Sequence, residues 1–488
     1  MRMNNLSRLT AAMLALTLSA CANIPLFQDA NDSEALDSSQ TQEAIDDSLG
    51  VVNPTFAMLN QSTSGQRFSQ LSDTVSLNTN WLVRLEDSTL LTLVQEAQRN
   101  NPSLQGFAAN VERAQALLVQ ARAALIPAVG ITSGVSTGGS LESDSSSLFS
   151  LGAGVSWELD IWGRIRSGEM AAQNNLEALK LDYQFAQYSI AANVARAYYL
   201  LIEANQQYDI AQSVIDVLTE THRIVTVQVE NGIGDQGSLA LVMTDLANAQ
   251  DRLLSAEGAK RSATRALELL LGRYPQAELL TMTSLPKAPP AVPPGLPSAL
   301  LKRRPDVLAA ERRIAAAFNQ IDAAEAATLP AISLSGSIGG ASNSLSNILD
   351  SDNILWQAAA NLLYPLIDGG LLDAQVDVRT AEQEAALASY VATALTAFND
   401  VEQALDDNLL ITKRQEALLL ALNSAQKALA VADLQYKEGE IGLLDVLQIQ
   451  QRVFAAQRNY ASIERANLTQ YIDLNLALGG LWDDKLPN

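Results

Sequence analysis

One cysteine and one histidine in 488 residues remove most site chemistry before any motif is read. A protein-built zinc site or a Cys/His nucleophile needs several such side chains converging in space. A chain with a single thiol forms no internal disulfide. Aromatic residues are scarce at 5%, and 32 basic residues face 54 acidic ones, for a net charge of -22. That balance excludes nucleic acid as the partner, because phosphate contacts need a basic surface. No G-x-x-x-x-G-K-[ST] run is present to cradle a nucleotide. Gly134-Val135-Ser136-Thr137-Gly138 fits the G-x-S-x-G pattern of hydrolases, but the one histidine, His222, belongs to a distant helical stretch. No catalytic residue, metal ligand or bound cofactor is assigned, and the chain is not expected to be an enzyme. What is abundant is small and apolar: 48% of residues are hydrophobic, chiefly Ala, Leu, Val and Ile. Such a composition suits closely packed helices.

The lone thiol has a telling place. Arg2 and Arg8 precede an apolar stretch from Leu9 to Thr17, and Leu18-Ser19-Ala20-Cys21 closes it. This is the order of a secretory signal peptide over residues 1–20, too short to remain as a membrane span. Leu-Ser-Ala-Cys resembles the bacterial lipobox. That resemblance implies that Cys21 becomes the first residue of the mature chain, carrying diacylglycerol and palmitate, and that Ala22 permits sorting to the outer membrane. A thiol buried near the N-terminus is the alternative. Residues 21–80 are polar and read as a tethered arm.

The remainder is one unit written twice. Asn101-Pro102 to Pro127 recurs as Arg304-Pro305 to Pro330 at an offset of 203. Further on the offset is 207, pairing Gly163 with Gly370, Val194 with Val401, Gly232 with Gly439 and Gly272 with Gly479. The two units span 81–280 and 298–482, joined by a Pro-rich linker at 281–297 and followed by a tail at 483–488. Each contains a stretch without Gly or Pro, 169–231 and 371–438, far longer than an ordinary soluble helix. Leu176, Leu179, Tyr183, Ala186, Ile190, Val194, Ala197 and Leu201 form a seam at three- and four-residue spacing. Helix-to-helix turns are expected near 204–207 and 410–414. Lys302-Arg303-Arg304 reads as a solvated helix start rather than an anionic-lipid contact.

Before each long stretch lies a Gly/Ser-rich section that reads as a β-hairpin, at about 131–157 and 332–366. Strands of roughly ten residues can cross an outer membrane when tilted. A soluble hairpin is the other reading. If the strands do cross, the sheet must close, because unpaired backbone groups in lipid cannot be hydrated. Four strands are half of the smallest single-chain barrel, so several chains must share one.

These residues resemble the TolC-like outer-membrane factor family, in its lipoprotein branch. The resemblance is carried by Asn101-Pro102-Ser103-Leu104, Trp157-Glu158-Leu159-Asp160-Ile161-Trp162-Gly163-Arg164, Arg304-Pro305-Asp306-Val307, Tyr364-Pro365-Leu366-Ile367-Asp368-Gly369-Gly370 and Ala477-Leu478-Gly479-Gly480-Leu481-Trp482. It implies an α+β fold: a homotrimer with a 12-stranded β-barrel in outer-membrane lipid and a long α-helical coiled-coil barrel in the periplasm. It also implies a passive exit duct for drugs or other small molecules, served by a periplasmic adaptor (a membrane fusion protein) and an inner-membrane transporter of the resistance-nodulation-division type. In the family the helix tips form a constricted end. With turns expected near 204–207 and 410–414, Glu203, Asp209, Asp406, Asp407, Lys413 and Arg414 are the candidates for a charged network that holds it shut. A lipid-anchored envelope scaffold and an autonomous porin are the rival readings.

Overall fold

A computed structural model describes residues 81–138, 146–278, 284–289 and 303–479. The expected signal peptide, Cys21, the 21–80 arm, the 483–488 tail and all of the 281–297 linker except 284–289 lie outside the described residues.

Each copy supplies the same elements. The first holds α1 (Ser88–Asn100), α2 (Pro102–Ala123), β1 (Ala128–Gly138), β2 (Ser146–Leu159), α3 (Arg164–Glu230) and α4 (Gln236–Leu270). The second holds α5 (Pro305–Ala327), β3 (Ala331–Ser342), β4 (Ile354–Leu363), α6 (Leu371–Glu438) and α7 (Leu443–Ala477). The offsets seen in the sequence return in the element bounds: α2 and α5 start 203 residues apart, and both ends of α4 and α7 differ by 207. Local chemistry sets these limits. Pro102 and Pro305 occupy first helical positions, where their missing N–H costs nothing. Asp87 caps α1 by accepting from Leu90 N at 3.0 Å. The strands of each hairpin begin beyond Pro127 and Pro330, and β4 stops short of Tyr364-Pro365, since proline donates no ladder hydrogen bond.

The four strands form one antiparallel sheet in the order β1-β2-β3-β4. Helices enter and leave both hairpins at the same end of that sheet. The outer edges of β1 and β4 have no partner among the described residues.

The expected turns near 204–207 and 410–414 are not there. α3 and α6 run unbroken through both positions, over roughly 100 Å each at 1.5 Å per residue. They turn instead just past Gly232 and Gly439, whose φ of 73° and 77° is left-handed and favours glycine. At the first of these positions Gln207 is satisfied inside the bundle: its Nε2 donates to the Arg458 carbonyl at 3.1 Å. Ala204 beside it is buried in the main core. That core gathers Trp81, Leu82 and Leu85, α1, the middle of α3 around Tyr198 and Tyr199, the ends of α4 and α7, and Val401 and Ala404 of α6. Each buried leucine or isoleucine there contributes about 1.5–3 kcal/mol. The predicted seam residues on α3 are all buried or half-buried.

Candidate functional site

Side chains alternate across a strand, so register assigns every residue to one of two sheet faces. Val129, Ile131 and Val135 of β1 pair with Val155, Ala153 and Phe149 of β2. Their row continues into Ile338, Leu334 and Ile332 of β3 and Trp356, Ala360 and Leu362 of β4. The opposite face carries Gly130, Thr132, Gly134, Ser136, Ser150, Gly152, Gly154, Ser156, Ser333, Ser335, Ser337, Gln357 and Asn361. Its larger apolar residues, Leu148, Leu355 and Leu363, sit at strand ends. The sheet therefore has one apolar face and one face of glycine and small hydroxyls. At the centre of the small-residue face Gly152 opposes Gly339. A Cβ on Gly339 would come within 2.6 Å of the Gly152 Cα, so β2 and β3 approach closely only because both lack side chains.

Aromatics mark both ends of the apolar face. Phe149 and Trp157 are eight residues apart on β2, as are Trp356 and Tyr364 on and after β4. At about 3.4 Å per residue and a tilt of about 40°, that spacing spans roughly 21 Å, close to the apolar band of an outer-membrane barrel. At the helix end the junction is pinned by polar contacts. Arg164 is bidentate on Glu158 at 2.8 Å, Asp160 accepts from Ile165 N and Arg166 N at 2.8 and 3.0 Å, and Trp162 Nε1 donates to the Pro330 carbonyl at 2.8 Å. In the second copy Asp368 accepts from Gly370 N and Leu372 N at 2.9 and 3.0 Å.

Midway along the long helices the two copies are clipped in parallel. Asn101 accepts from Ser103 N at 2.9 Å while its Nδ2 donates to the Leu270 carbonyl at 2.8 Å, so one side chain joins the start of α2 to the end of α4. Its counterpart Arg304 donates to the Ala477 carbonyl at 3.4 Å, at the end of α7. Arg304 also bonds Asp306 at 2.8 Å and Asp400 at 2.9 Å, and its guanidinium lies 5.9 Å from the Phe185 ring centre. Burial alone would pull its pKa down, but the bonds to Asp306 and Asp400 outweigh burial and hold it above its ordinary value. The expectation that Arg304 begins a solvated helix is thus corrected. A Cβ on Gly479 would come within 3.3 Å of the Arg303 backbone, and one on Gly272 would run into the Asn100 carbonyl, so each glycine lets the end of its copy's last helix close on that position.

The gate candidates fall in this mid-length region, roughly 35–50 Å along the helices from the Gly232 and Gly439 turns. Their premise, a place beside the turn, is corrected with the turns themselves. Glu203 is buried, ion-paired to Arg465 and bonded to Ser462 Oγ at 2.5 Å. Asp407 is half-buried and lines a cavity of about 290 Å³ with Arg196, Arg304, Asp400 and Asp473. Asp209, Asp406, Lys413 and Arg414 are exposed. The structure brings Asp407 to the arginine clip and Glu203 to α7, and it does not assemble the six into one network. His222 lies on α3 and Ser136 on β1, in separate elements.

Comparison with known proteins decides what this architecture is. The model of the outer membrane efflux protein family matches residues 93–273 and 296–480, one match for each copy. The chain belongs to that family. It is 31% identical over 409 residues to the pyoverdine export outer membrane protein OpmQ of Pseudomonas aeruginosa, covering 80% of this chain and 85% of OpmQ. It is 29% identical over 410 residues to the cation efflux system protein CusC of Escherichia coli O6:H1, covering 83% and 89%. The solved outer-membrane channel OprN superposes with a TM-score of 0.78 at 27% identity, over 86% of this chain and 96% of OprN.

An outer membrane efflux protein is a channel, not an enzyme, and serves as the outer-membrane exit duct of a tripartite pump. Its sheet and helices here are the α+β fold of that family. The sequence had not pointed to Arg465, Asp400 or Asp473 as partners of the charged residues. Arg304 alone left a signal, since the residue before each repeated Pro stands opposite the end of that copy's last helix.

Proposed function

We propose that three copies of this chain close one 12-stranded barrel and one helical tube, through which small molecules leave passively. The observation that carries this is the sheet with two unpaired edges and two chemically distinct faces. Lipid tolerates no open edge, and closure places the apolar face toward acyl chains and the small-residue face toward a lumen. The helices support the same reading. Among the described residues α6 packs chiefly on α5 and α7 and leaves Leu395, Leu409, Leu410, Leu420, Val431 and Leu434 exposed. Its composition would pass for a membrane span, but a neighbouring copy's helices explain that apolar face with no second membrane segment. Mass measurement of the full chain in mild detergent tests the assembly: a trimer is expected, and a stable monomer sinks the reading.

Three finer assignments belong to this proposal. Cys21 carries diacylglycerol and palmitate and anchors the chain to the outer membrane; a Cys21→Ser chain should lose the lipid mass. The adaptor meets the helix tips, where Val225, Ile233, Val242, Leu444 and Leu447 line a cavity of about 540 Å³ between the two turns. An inner-membrane transporter of the resistance-nodulation-division type supplies the energy, consistent with a chain that contains no nucleotide-binding run.

A further inference from the structure

The loop between β3 and β4 does not stand clear of the sheet. Gly340 belongs to the apolar face, since it pairs with Leu151 on one side and Ile354 on the other. A Cβ on Gly340 would land on the carbonyl oxygen of Ile348 and lie 3.3 Å from Ile348 Cγ2. The loop therefore folds back over that face, and Ile348, at 5% exposure, is its seated residue. Two short 3-10 turns, Leu345–Asn347 and Ser351–Asn353, shape the loop, and Asn353 Nδ2 closes it by donating to the Asn347 carbonyl at 2.7 Å.

Leu345 and Ile348 stand one 3-10 turn apart, and Leu349 follows directly after the seated residue. Leu345 and Leu349 flank the seated isoleucine and are 68% and 70% exposed. Ser344, Ser346, Asn347, Asp350 and Asp352 make up much of the rest. This two-sided turn sits at the end of the sheet away from the helices, where Phe149 and Trp356 lie.

We propose that this loop is an interfacial foot: Leu345 and Leu349 insert among the acyl chains of the outer leaflet. The inference rests on the barrel reading above, which turns the apolar face toward lipid. Two leucines presented beside that face extend its apolar surface, and burying them in hydrocarbon is favourable where exposing them to water is not. Asp350 and Asp352 set the depth. A carboxylate in hydrocarbon is costly, so the turn stays at the headgroup boundary with its acidic residues in water. A neighbouring copy is the competing occupant, and the experiment separates the two.

The test uses full-length protein in lipid vesicles, in a Cys21→Ser background that leaves one introduced thiol for a fluorescent label. Labels at Leu345→Cys and Leu349→Cys should lose emission to lipids bearing a nitroxide on the upper acyl chain and resist aqueous iodide. A label at Asp352→Cys should show the reverse. Iodide quenching at 345 and 349 as strong as at 352, or shielding from both quenchers, overturns the proposal in favour of water or of a second copy. A label at Ala358→Cys, midway along the apolar face of β4, distinguishes the failures. If lipid carrying a nitroxide deep on the acyl chain does not quench it, the barrel reading itself falls. Gly340→Ala adds a methyl where the Ile348 carbonyl sits, so lipid quenching should be lost at 349 and kept at 358. Unchanged quenching at 349 would show that the loop is not seated as described.

Discussion

α3 and α6 are copies of one helix with opposite surroundings. Both run unbroken from a left-handed glycine beside the sheet to a turn at a second glycine. Yet α3 buries twenty residues and is enclosed by α1, α2, α4, α5 and α7, whereas α6 buries eight and packs on α5 and α7. The side chains follow. Tyr199, fully buried on α3, corresponds to exposed Asp406 on α6; Ile202 corresponds to Leu409, and Glu203 to Leu410. Duplication preserved the backbone, and the divergent half became the edge of the protomer. A chain whose two sides differ can join head to tail around a ring, because each copy offers an unlike surface to the next.

Exchanging the environments of paired positions should produce unequal damage. The largest contrast is Ile202→Ala against Leu409→Ala. The first empties a core site and should cost about 2–5 kcal/mol, read as a large fall in the thermal midpoint of the assembled protein. The second should leave that midpoint nearly unchanged when assembly is intact, and lower the detergent concentration at which copies separate. Equal effects would mean α6 is not an edge. Next come the two clips. Arg304→Ala leaves Asp306 and Asp400 without their shared cation and should cost about 2–3 kcal/mol, while Asn101→Ala removes a cap worth about 1 kcal/mol. Thermal midpoints of the two variants, measured side by side, would rank them.

Giving α3 the residue of its copy, Glu203→Leu, should cost about 1–2 kcal/mol, reduced by the partial exposure of Arg465. An added Arg465→Leu should recover part of the loss. The smallest effect concerns the tips. Asp235 caps α4 through the Ser238 hydroxyl and amide, which hold its carboxyl below the ordinary 3.8, whereas Gly442 stands at the matching place before α7. A carboxyl lowered by folding contributes its stability above the unfolded value and loses it as pH falls through the folded one. Reduced protection of the Ser238 amide, taken relative to its intrinsic exchange rate at each pH, on acidification below about pH 3.8 and absent in Asp235→Asn, is the expected signature.

Repetition made much of this legible. Prolines and glycines recur at fixed offsets because few other residues serve at a first helical position or a left-handed turn. The faces of the strands were only partly readable, since register across β2 and β3 joins residues almost two hundred positions apart. The expected turn positions hold polar residues, Asn205 to Gln207 and Lys413-Arg414, yet the chain turns at a single glycine in each copy. Inside a bundle such groups find carbonyls and hydroxyls on neighbouring helices, as Gln207 does on α7. Arg304 was read as a surface charge because Asp400, its partner, is ninety-six residues away and reaches it through packing.

Every described helix lies on the side of one end of the sheet, and that bears on how the protein can insert. For the hairpins to take their places, the connecting segments 139–145 and 343–353 alone must pass through hydrocarbon; the polar bulk of the chain stays on the side from which it came. Orientation then needs no separate signal, because driving the charged shaft through the bilayer would cost far more than slipping two small caps across it. A lone chain that tried this would strand its unmatched rims in oil, so threading and ring closure must happen together.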